Sequence, residues 1–418
     1  MLSSATVVGV VGAGAMGRGI AQVAAAAGHA VVLADAKPGA AADARAAIGK
    51  ALASLVAKGK LDAAARDATL TRIAAVAAAP ATLSASAAPL DAAAFAHCGL
   101  VFEAIIEDLA AKRDLFARLA DAVAGDAVLA TNTSSLSVAA IAAGCPSPER
   151  VLGLHFFNPP PLMPLVEVVP WAGTFPALAD AALALMTAWG KTAVQCADTP
   201  GFIVNRIARS FYGEAIRIAE EGTANYATID WAMRTIGGFR MGPFELMDFI
   251  GNDVNFTVTR AIYEGFFFEP RYRPSLTQQR LVAAGHLGRK TERGYYDYRD
   301  GAAAPEPVQD RALGARIVER IRAMLINEAV DALRLHLASA EAIDTAMEKG
   351  ANYPGGPLLW CDQLGAAAVL EQMEALHAEF GEDRYRPSPM LRQVVRERRT
   401  FRRNATRDPK ADHIKGDP

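Results

Sequence analysis

Two side chains near the middle of the chain have the types and the spacing of an acid–base pair. His155 ends the apolar segment Val151–His155, and Glu167 interrupts a second apolar segment, Leu165–Val169. A carboxylate is costly to bury in such a segment unless it has a partner, and a histidine is the obvious one. Glu167 would fix the orientation of His155 and favour its imidazolium form. The pair predicts a base that takes a proton from an alcohol while a hydride leaves the same carbon.

Each of these two residues also has an ordinary structural explanation when it is taken singly. A histidine at the end of a strand is often only hydrogen-bonded, and a glutamate in an apolar segment can belong to an edge strand. From the two residues alone, both explanations stay open at each position.

A glycine-rich turn near the N-terminus predicts a nucleotide site. Gly12-Ala13-Gly14-Ala15-Met16-Gly17 follows the β-branched segment Thr6–Val11 and opens the alanine-rich segment Met16–Ala27. The first glycine permits a tight turn, the second lets the backbone approach a pyrophosphate, and the third permits close packing of helix on strand. Asp35 ends the next apolar segment, Val31–Ala34, where a carboxylate accepts a hydrogen bond from the ribose 2′-hydroxyl. Because it would also repel a 2′-phosphate, NAD is favoured over NADP.

A parallel sheet is needed to bring these residues to one edge. Strand, helix and strand follow one another at the N-terminus, which is the first unit of a doubly wound sheet. A helical pattern runs over Ala40–Ala78 and is broken at Lys58-Gly59-Lys60. Further strands are predicted at Gly99–Glu103, Ala127–Thr131, Val151–His155 and Leu165–Val169. The predicted fold is an α/β Rossmann-type doubly wound sheet followed by two all-α helical domains.

An internal repeat organises the helical half, which begins at Thr199. Ile203–Ile207 resembles Ile317–Ile321, 114 residues later, and Arg271–Ser275 recurs as Arg384–Ser388. We therefore predict an NAD-binding domain at residues 1–198, a helical domain at 199–298 and a degenerate second copy at 310–395. The linker of residues 299–308 is short, so the two copies should pack as an intramolecular pseudo-dimer. Any homodimer would then use another surface.

The composition argues against several kinds of partner. The net charge is −2 over 418 residues, so no global field favours nucleic acid or an anionic membrane. The four cysteines lie far apart, which predicts reduced structural thiols and no metal site. The N-terminus lacks a basic signal-peptide start, and the run Val7–Val11 is too short to span a bilayer. These features predict a cytoplasmic protein.

Two further segments have local predictions. The charged tail after Arg396 is predicted to be disordered. The run Phe266-Phe267-Phe268 could line an acyl pocket, although packing in a helix core is the more frequent role of such a run and is the one favoured here.

Several motifs together resemble one enzyme family. Over roughly residues 6–298 the chain resembles the 3-hydroxyacyl-CoA dehydrogenases, which implies oxidation of an (S)-3-hydroxyacyl-CoA to the 3-oxoacyl-CoA with NAD. The segments that carry the resemblance are Thr131–Leu136, Gly153–Pro159, Asp198–Arg206, Met241–Asp248 and Gly288–Thr291.

The resemblance also implies roles for individual residues. It makes His155 the general base and Glu167 its partner. It places Ser134 and Asn205 against the 3-oxygen or the thioester of the substrate, where negative charge gathers. Ser134 also has an ordinary alternative, because the sequence Thr-Ser-Ser is common where helices are capped.

Other residues are implied to contact the cofactor or coenzyme A. Asn158 would lie beside the nicotinamide, and Glu103 and Lys290 would approach NAD. Lys58, in the helical hairpin, would contact the coenzyme A moiety, since its phosphates need cationic partners. A solvated surface lysine is the alternative.

The duplicated helical domain narrows the resemblance. It is similar to bacterial 3-hydroxybutyryl-CoA and 3-hydroxyadipyl-CoA dehydrogenases, which implies a short-chain or dicarboxylic acyl-CoA as substrate. The second copy has Glu319 where the first has Asn205, so it is expected to be structural. The alternatives are a dehydrogenase of free hydroxy acids, whose relatives tend to use a lysine, and a structural relative with residual activity.

Overall fold

The computed structural model of the chain describes residues 2–76, 91–303 and 305–402. It divides into two compact units, Met1–Thr199 and Pro200–Pro418. The second unit contains both copies of the repeat. No helix in the described part of the chain combines the length and the apolar character needed to cross a bilayer.

The first unit is built on one eight-stranded sheet with the strand order β3-β2-β1-β4-β5-β6-β7-β8. Strands β1 to β6 pair in parallel, β7 pairs antiparallel to β6, and β8 runs parallel to β7. Their bounds are β1 Val8–Val11, β2 Val31–Ala34, β3 Ile73–Ala75, β4 Leu100–Glu103, β5 Val128–Thr131, β6 Val151–Phe156, β7 Leu165–Val169 and β8 Thr192–Gln195. The doubly wound sheet predicted from the sequence is confirmed.

Helices connect the strands and cover the sheet. The helices of the first unit are α1 Ala15–Ala26, α2 Ala40–Ala57, α3 Ala63–Thr71, α4 Leu109–Ala122, α5 Val138–Ala142 and α6 Pro176–Ala188. The central strands β1, β4, β5 and β6 are buried at every residue, as parallel strands covered on both faces require. This explains why they read as continuous apolar runs rather than alternating ones.

The helical prediction for Ala40–Ala78 is wrong at its C-terminal end. Ile73–Ala75 forms strand β3, which pairs in parallel with β2. Helical propensity yields here because the backbone of these residues completes the ladder along one side of β2. Residues 77 and 78 lie outside the described residues.

The second unit contains ten α-helices in the described part of the chain. The first copy contains α7 Val204–Glu220, α8 Tyr226–Thr235, α9 Pro243–Ile250, α10 Asn252–Gly265 and α11 Leu276–Ala283. The second copy contains α12 Arg311–Arg334, α13 Ala340–Gly350, α14 Pro357–Leu364, α15 Ala366–Phe380 and α16 Pro389–Glu397. The helices correspond one to one, so the sequence repeat is a structural repeat.

The two copies pack against each other through α7 and α12, and each gives the other a buried carboxylate. Arg206 Nε of the first copy lies 2.7 Å from Glu328 Oε1 of the second. In return, Arg320 Nε of the second copy lies 2.6 Å from Glu214 Oε1 of the first. The arrangement has approximate two-fold symmetry, as in a symmetric dimer.

The favoured prediction, that the phenylalanine run packs in a helix core, is wrong for two of its three residues. Phe267 is 91% exposed and Phe268 is 62% exposed, and both have positive φ angles. Helix α10 ends at Gly265, so the two residues lie in the turn that follows it and do not pack in a helix core. Phe266 alone is partly covered, and the Arg206 guanidinium lies 4.8 Å from its ring centre.

The tail prediction is wrong for its first residues. Helix α16 continues to Glu397, and the backbone N–H groups of Phe401 and Arg402 donate to the Asp362 carboxylate. These contacts give residues 398–402 a fixed path. Residues 403–418, to which the same prediction applies, lie outside the described residues.

Candidate active site

The predicted acid–base pair is formed by two neighbouring antiparallel strands. His155 of β6 stands directly opposite Glu167 of β7 in the register of the ladder. His155 Nδ1 lies 2.7 Å from Glu167 Oε2, and the side chains are 6% and 0% exposed. The cross-strand pairing therefore holds the imidazole in one orientation, within a buried setting that strengthens the interaction.

The carboxylate also determines which nitrogen of His155 carries the proton. An ionised carboxylate can only accept hydrogen bonds, so Nδ1 must donate to Glu167. In the neutral imidazole, the lone pair then resides on Nε2. This geometry leaves Nε2 able to take a proton, and the Glu167 carboxylate would stabilise an imidazolium formed there.

Ser134 lies in a loop after β5 whose backbone is held by Glu107. Glu107 Oε1 accepts hydrogen bonds from the backbone N–H groups of Ser134 and Ser135, at 3.1 and 3.2 Å, and from the Thr133 hydroxyl at 2.6 Å. Burial opposes ionisation of Glu107, but Lys112 and these donors together hold its pKa below the usual range. The carboxylate therefore stays charged and fixes the Ser134 loop.

Sequence reasoning missed Glu107. It follows strand β4 by a few residues and interrupts no apolar segment, so no pattern singled it out. The available signal was its place beyond the carboxyl end of a central strand, where ligands gather in such sheets.

Glu103, predicted to approach NAD, is fully buried at the end of β4. One of its oxygens accepts from Lys112 Nζ at 2.5 Å and from the Ile105 N–H at 2.8 Å. The other accepts from the Thr131 hydroxyl at 2.7 Å. In this structure the carboxylate joins β4, β5 and the start of α4.

The glycine-rich turn has the shape that a dinucleotide requires. Gly12 has φ of +100°, and a Cβ there would lie 2.3 Å from the Ala104 carbonyl oxygen. A Cβ at Gly17 would lie 1.7 Å from the Gly12 carbonyl oxygen, so both positions demand glycine. A Cβ at Gly14 would meet no atom within 4 Å, which leaves the N-terminus of α1 open on that side. Backbone N–H groups there can approach a pyrophosphate.

Asp35 lies beside this turn, directly after strand β2. Its Oδ2 accepts from the Ala13 N–H at 2.7 Å, and its Oδ1 accepts from the Lys37 N–H at 2.8 Å. The carboxylate is thereby held next to the glycine turn, where a ribose hydroxyl would meet it. The glycines and Asp35 together fit NAD. Met16, also predicted to contact the cofactor, is partly buried in the first turn of α1.

The structure places two other predicted contact residues of the first unit at its surface. Asn158, two residues after β6, is exposed. Lys58 is exposed at the C-terminus of α2, in the loop that leads to α3. Both side chains are therefore accessible to a ligand.

The remaining predicted residues belong to the second unit. Asn205 lies in the first turn of α7 and is partly exposed. Lys290 Nζ forms an ion pair with Asp253 at 2.6 Å and is about half exposed.

Sequence comparisons assign both units to one family. The family "3-hydroxyacyl-CoA dehydrogenase, NAD binding domain" matches residues 7–199. The family "3-hydroxyacyl-CoA dehydrogenase, C-terminal domain" matches twice, at residues 201–298 and 317–407. The duplication recognised in the sequence is therefore a duplication of that domain.

Individual relatives agree with the family match. The chain is 39% identical to the 3-hydroxyadipyl-CoA dehydrogenase of Escherichia coli K12, over 94% of this chain and 98% of the relative. It is 42% identical to the human mitochondrial hydroxyacyl-coenzyme A dehydrogenase, over 69% of this chain and 90% of the relative. A crystal structure of 3-hydroxybutyryl-CoA dehydrogenase from Escherichia coli K12 has a TM-score of 0.87 at 37% identity, covering 95% of this chain and 99% of that one. The chain belongs to the 3-hydroxyacyl-CoA dehydrogenase family and is an NAD-dependent oxidoreductase.

Proposed function

We propose that this protein catalyses the reversible NAD-dependent oxidation of an (S)-3-hydroxyacyl-CoA to the 3-oxoacyl-CoA. The observation that carries the proposal is the buried pair His155–Glu167, whose 2.7 Å contact fixes one tautomer of the histidine. In the oxidation, His155 Nε2 accepts the proton of the 3-hydroxyl group. Bound NAD supplies the hydride acceptor.

Two polar groups are proposed to stabilise the substrate oxygen. Ser134 lies in the loop held by Glu107, and Asn205 lies at the start of α7. Donors that are fixed before the reaction stabilise developing negative charge without reorganisation. Lys58 is further proposed to meet the phosphates of coenzyme A, and Lys290, Glu103 and Asn158 to lie near the cofactor.

The substrate is proposed to be a short-chain or dicarboxylic acyl-CoA. The two E. coli relatives are named for 3-hydroxyadipyl-CoA and 3-hydroxybutyryl-CoA, so both classes are supported. Steady-state rates with NAD over 3-hydroxyacyl-CoAs of graded length, with and without an ω-carboxylate, distinguish the two.

Replacement of His155 tests the mechanism. His155→Gln should lower kcat by about 10²–10⁴, the usual contribution of a positioned general base, while NAD binding measured by calorimetry is retained. Glu167→Gln should cause a smaller loss. The matched control is His97→Gln, since His97 is an exposed histidine of the same unit. Near-normal kcat in the His155 variant would contradict the mechanism.

Cofactor choice tests the role of Asp35. NAD should exceed NADP by at least about tenfold in kcat/KM, because a 2′-phosphate would meet a carboxylate. Equal use of the two cofactors would show that Asp35 does not lie at the ribose.

A further inference from the structure

The second unit contains a buried arginine that the proposed mechanism does not use. Arg209 lies one turn after Asn205 in α7 and is 5% exposed. Its Nε donates to the Asn205 carbonyl oxygen at 2.8 Å. Its Nη1 donates to the Asn255 carbonyl oxygen at 3.3 Å and to the Thr259 hydroxyl at 2.8 Å, both on α10. These contacts hold the guanidinium in one place.

Among the buried arginines in the described part of this unit, Arg209 differs in having no carboxylate partner. Arg206, Arg271 and Arg384 each lie within 4 Å of at least one carboxylate oxygen. Within residues 200–303 and 305–402, no carboxylate lies at that distance from Arg209, and its Nη2 has no hydrogen-bond acceptor. Burial accordingly lowers the pKa of Arg209, which only the phenol groups of nearby tyrosines oppose. The centre of the Tyr212 ring lies 4.9 Å from the guanidinium carbon and offsets part of the cost of burial, but a buried cation without a counter-ion remains costly unless an anion joins it.

The second copy shows that the packing itself does not require this cation. The residue equivalent to Arg209, 114 positions later, is Ala323, which is buried. The equivalents of Asn255 and Thr259 are Val369 and Met373, which are also buried. The same helix contact is thus made with apolar side chains, so the polar groups of the first copy need another explanation.

A tyrosine of the second copy completes the surroundings of Arg209. The hydroxyl of Tyr353 is buried without a hydrogen-bond partner in the described part of the chain. The residue equivalent to Tyr353 in the first copy is Phe239, whose ring centre lies 5.0 Å from that of Tyr353. Burial raises the pKa of Tyr353, and the Arg209 cation lowers it, so the two groups interact electrostatically. Across the pseudo-two-fold axis, the hydroxyl is present only on one side.

We propose that Arg209, assisted by the Tyr353 hydroxyl, binds the ω-carboxylate of a dicarboxylyl-CoA substrate. A carboxylate would supply the missing counter-ion of Arg209 and accept from both Nη2 and the Tyr353 hydroxyl, as charge-assisted hydrogen bonds. Arg209 is then the residue that determines specificity for a dicarboxylic acyl chain.

The position of Arg209 on α7 sets the length of the acyl chain. This step rests on the proposed function, in which Asn205 holds the 3-oxygen of the substrate. Asn205 and Arg209 are four residues apart, about 6 Å along the helix axis. In a six-carbon diacid, the 3-oxygen and an ω-carboxylate oxygen are five bonds apart, a comparable span. A 3-hydroxyadipyl chain therefore matches the two residues, and a 3-hydroxybutyryl chain ends before Arg209.

The test compares two substrates of equal length on two proteins. In the wild-type protein, kcat/KM with NAD should be higher for 3-hydroxyadipyl-CoA than for (S)-3-hydroxyhexanoyl-CoA. Arg209→Met should lower the ratio of the two values by about ten- to hundredfold, the effect of losing a charge-assisted hydrogen bond. Tyr353→Phe should lower it by a smaller factor, and it also keeps the test open if the Arg209 variant fails to fold, since Phe239 shows that phenylalanine fits this packing.

A control variant accompanies the test, and the outcomes that contradict this proposal differ from the outcome that contradicts the proposed function. Arg322→Met removes a half-buried arginine of the second copy and should leave the ratio unchanged. An equal loss on both substrates in Arg209→Met, or no preference for the diacid in the wild-type protein, would overturn the assignment. If the wild-type protein oxidised neither substrate, the proposed function itself would fail.

Discussion

The two helical copies agree in the surface that they share and differ in what they bury behind it. At the shared surface each copy contributes an arginine and a glutamate of its long helix, Arg206 with Glu214 and Arg320 with Glu328. Behind it, the first copy buries Gln278, which donates to the Asn255 side chain at 3.1 Å. The second copy has buried Leu391 in the place of Gln278.

This difference separates what a duplicated domain needs for packing from what it needs for binding. Buried apolar groups pack without any requirement for hydrogen-bond partners, whereas each buried polar group must be satisfied. Polar groups kept in one copy and replaced by apolar ones in the other are therefore candidates for function. The ion pairs kept in both copies belong to the interface.

The largest effect should follow from removing the second copy. Truncation after Ala302 exposes the apolar face of α7 and leaves Arg206 buried on one side without Glu328. The shortened protein should dimerise, aggregate or lose at least about 10 °C in Tm, because a loss of several kcal/mol is expected. Sedimentation and thermal unfolding measure this. A monomer with full activity and an unchanged Tm would show that the second copy is a separate module.

Breaking the two interface ion pairs, Arg206–Glu328 and Arg320–Glu214, one at a time should give unequal losses of stability. Glu328→Gln leaves Arg206 and Arg271 without their shared carboxylate in a fully buried setting. The free energy of unfolding should fall by about 3–5 kcal/mol. Glu214→Gln should cost less, because Arg320 is less buried and keeps Glu221 at 2.7 Å.

Urea unfolding measures the free energy of unfolding of the Glu328→Gln and Glu214→Gln variants. The double variant Arg206→Met with Glu328→Gln is the control, since removing the stranded cation should recover part of the stability. Equal losses in the two single variants would show that the two ion pairs contribute equally to stability.

The fold was more predictable from the sequence than the site was. Glycine motifs and β-branched runs identify β1 and β2, because their local chemistry and their place in the sheet agree. Strand β3 was missed because Ile73-Ala74-Ala75 has no strand-like residue after the first, and only its neighbour β2 makes it a strand. The domain bounds assigned from the repeat remain a prediction.

The site was predictable where one residue contradicts its surroundings. Glu167 in an apolar strand is such a residue, and its partner followed from it. Glu107 is an ordinary loop acid in the sequence, and its role depends on the approach of a loop from another strand. Arg209 is also missed, because a polar residue in an amphipathic helix is unremarkable until its burial is known.

The two copies should differ in their contribution to catalysis at one equivalent position, which is Asn205 in the first copy and Glu319 in the second. Asn205→Ala should lower kcat by about 10²–10³, if its amide stabilises the substrate oxygen as proposed. Glu319→Ala changes the equivalent residue of the second copy, which is exposed, and should leave kcat unchanged. Steady-state kinetics and Tm measurements on both variants test this. A comparable fall in both would mean that the second copy takes part in catalysis.

The smallest effect concerns how pH acts on the two equivalent helix caps, Asp230 and Asp344. Asp230 accepts from two N–H groups of α9 and from the Tyr296 hydroxyl, and burial raises its pKa to about 7. Asp344 accepts from two N–H groups of α14, and Arg402 Nη1 lies 3.2 Å away. Burial raises the pKa of Asp344 to about 6, and the Arg402 cation opposes this increase and keeps it smaller than that of Asp230.

Both carboxyl groups hold a proton more tightly in the folded protein than in the unfolded chain, where the pKa of aspartic acid is about 3.9. The stability that this linkage contributes is fully present below about pH 4 and is lost as the pH rises through about 7 for Asp230 and about 6 for Asp344. The free energy of unfolding should therefore fall over this range, by at most about 1.4 kcal/mol per pH unit for each group.

Asp230→Asn should flatten the slope between pH 6 and 7, whereas Asp344→Asn should act mainly below pH 6. Urea unfolding at closely spaced pH values measures the slopes, and Arg402→Met should extend the Asp344 window upwards. Parallel curves for the wild-type protein and the Asp230 variant would show that Asp230 titrates alike in the folded and unfolded chains.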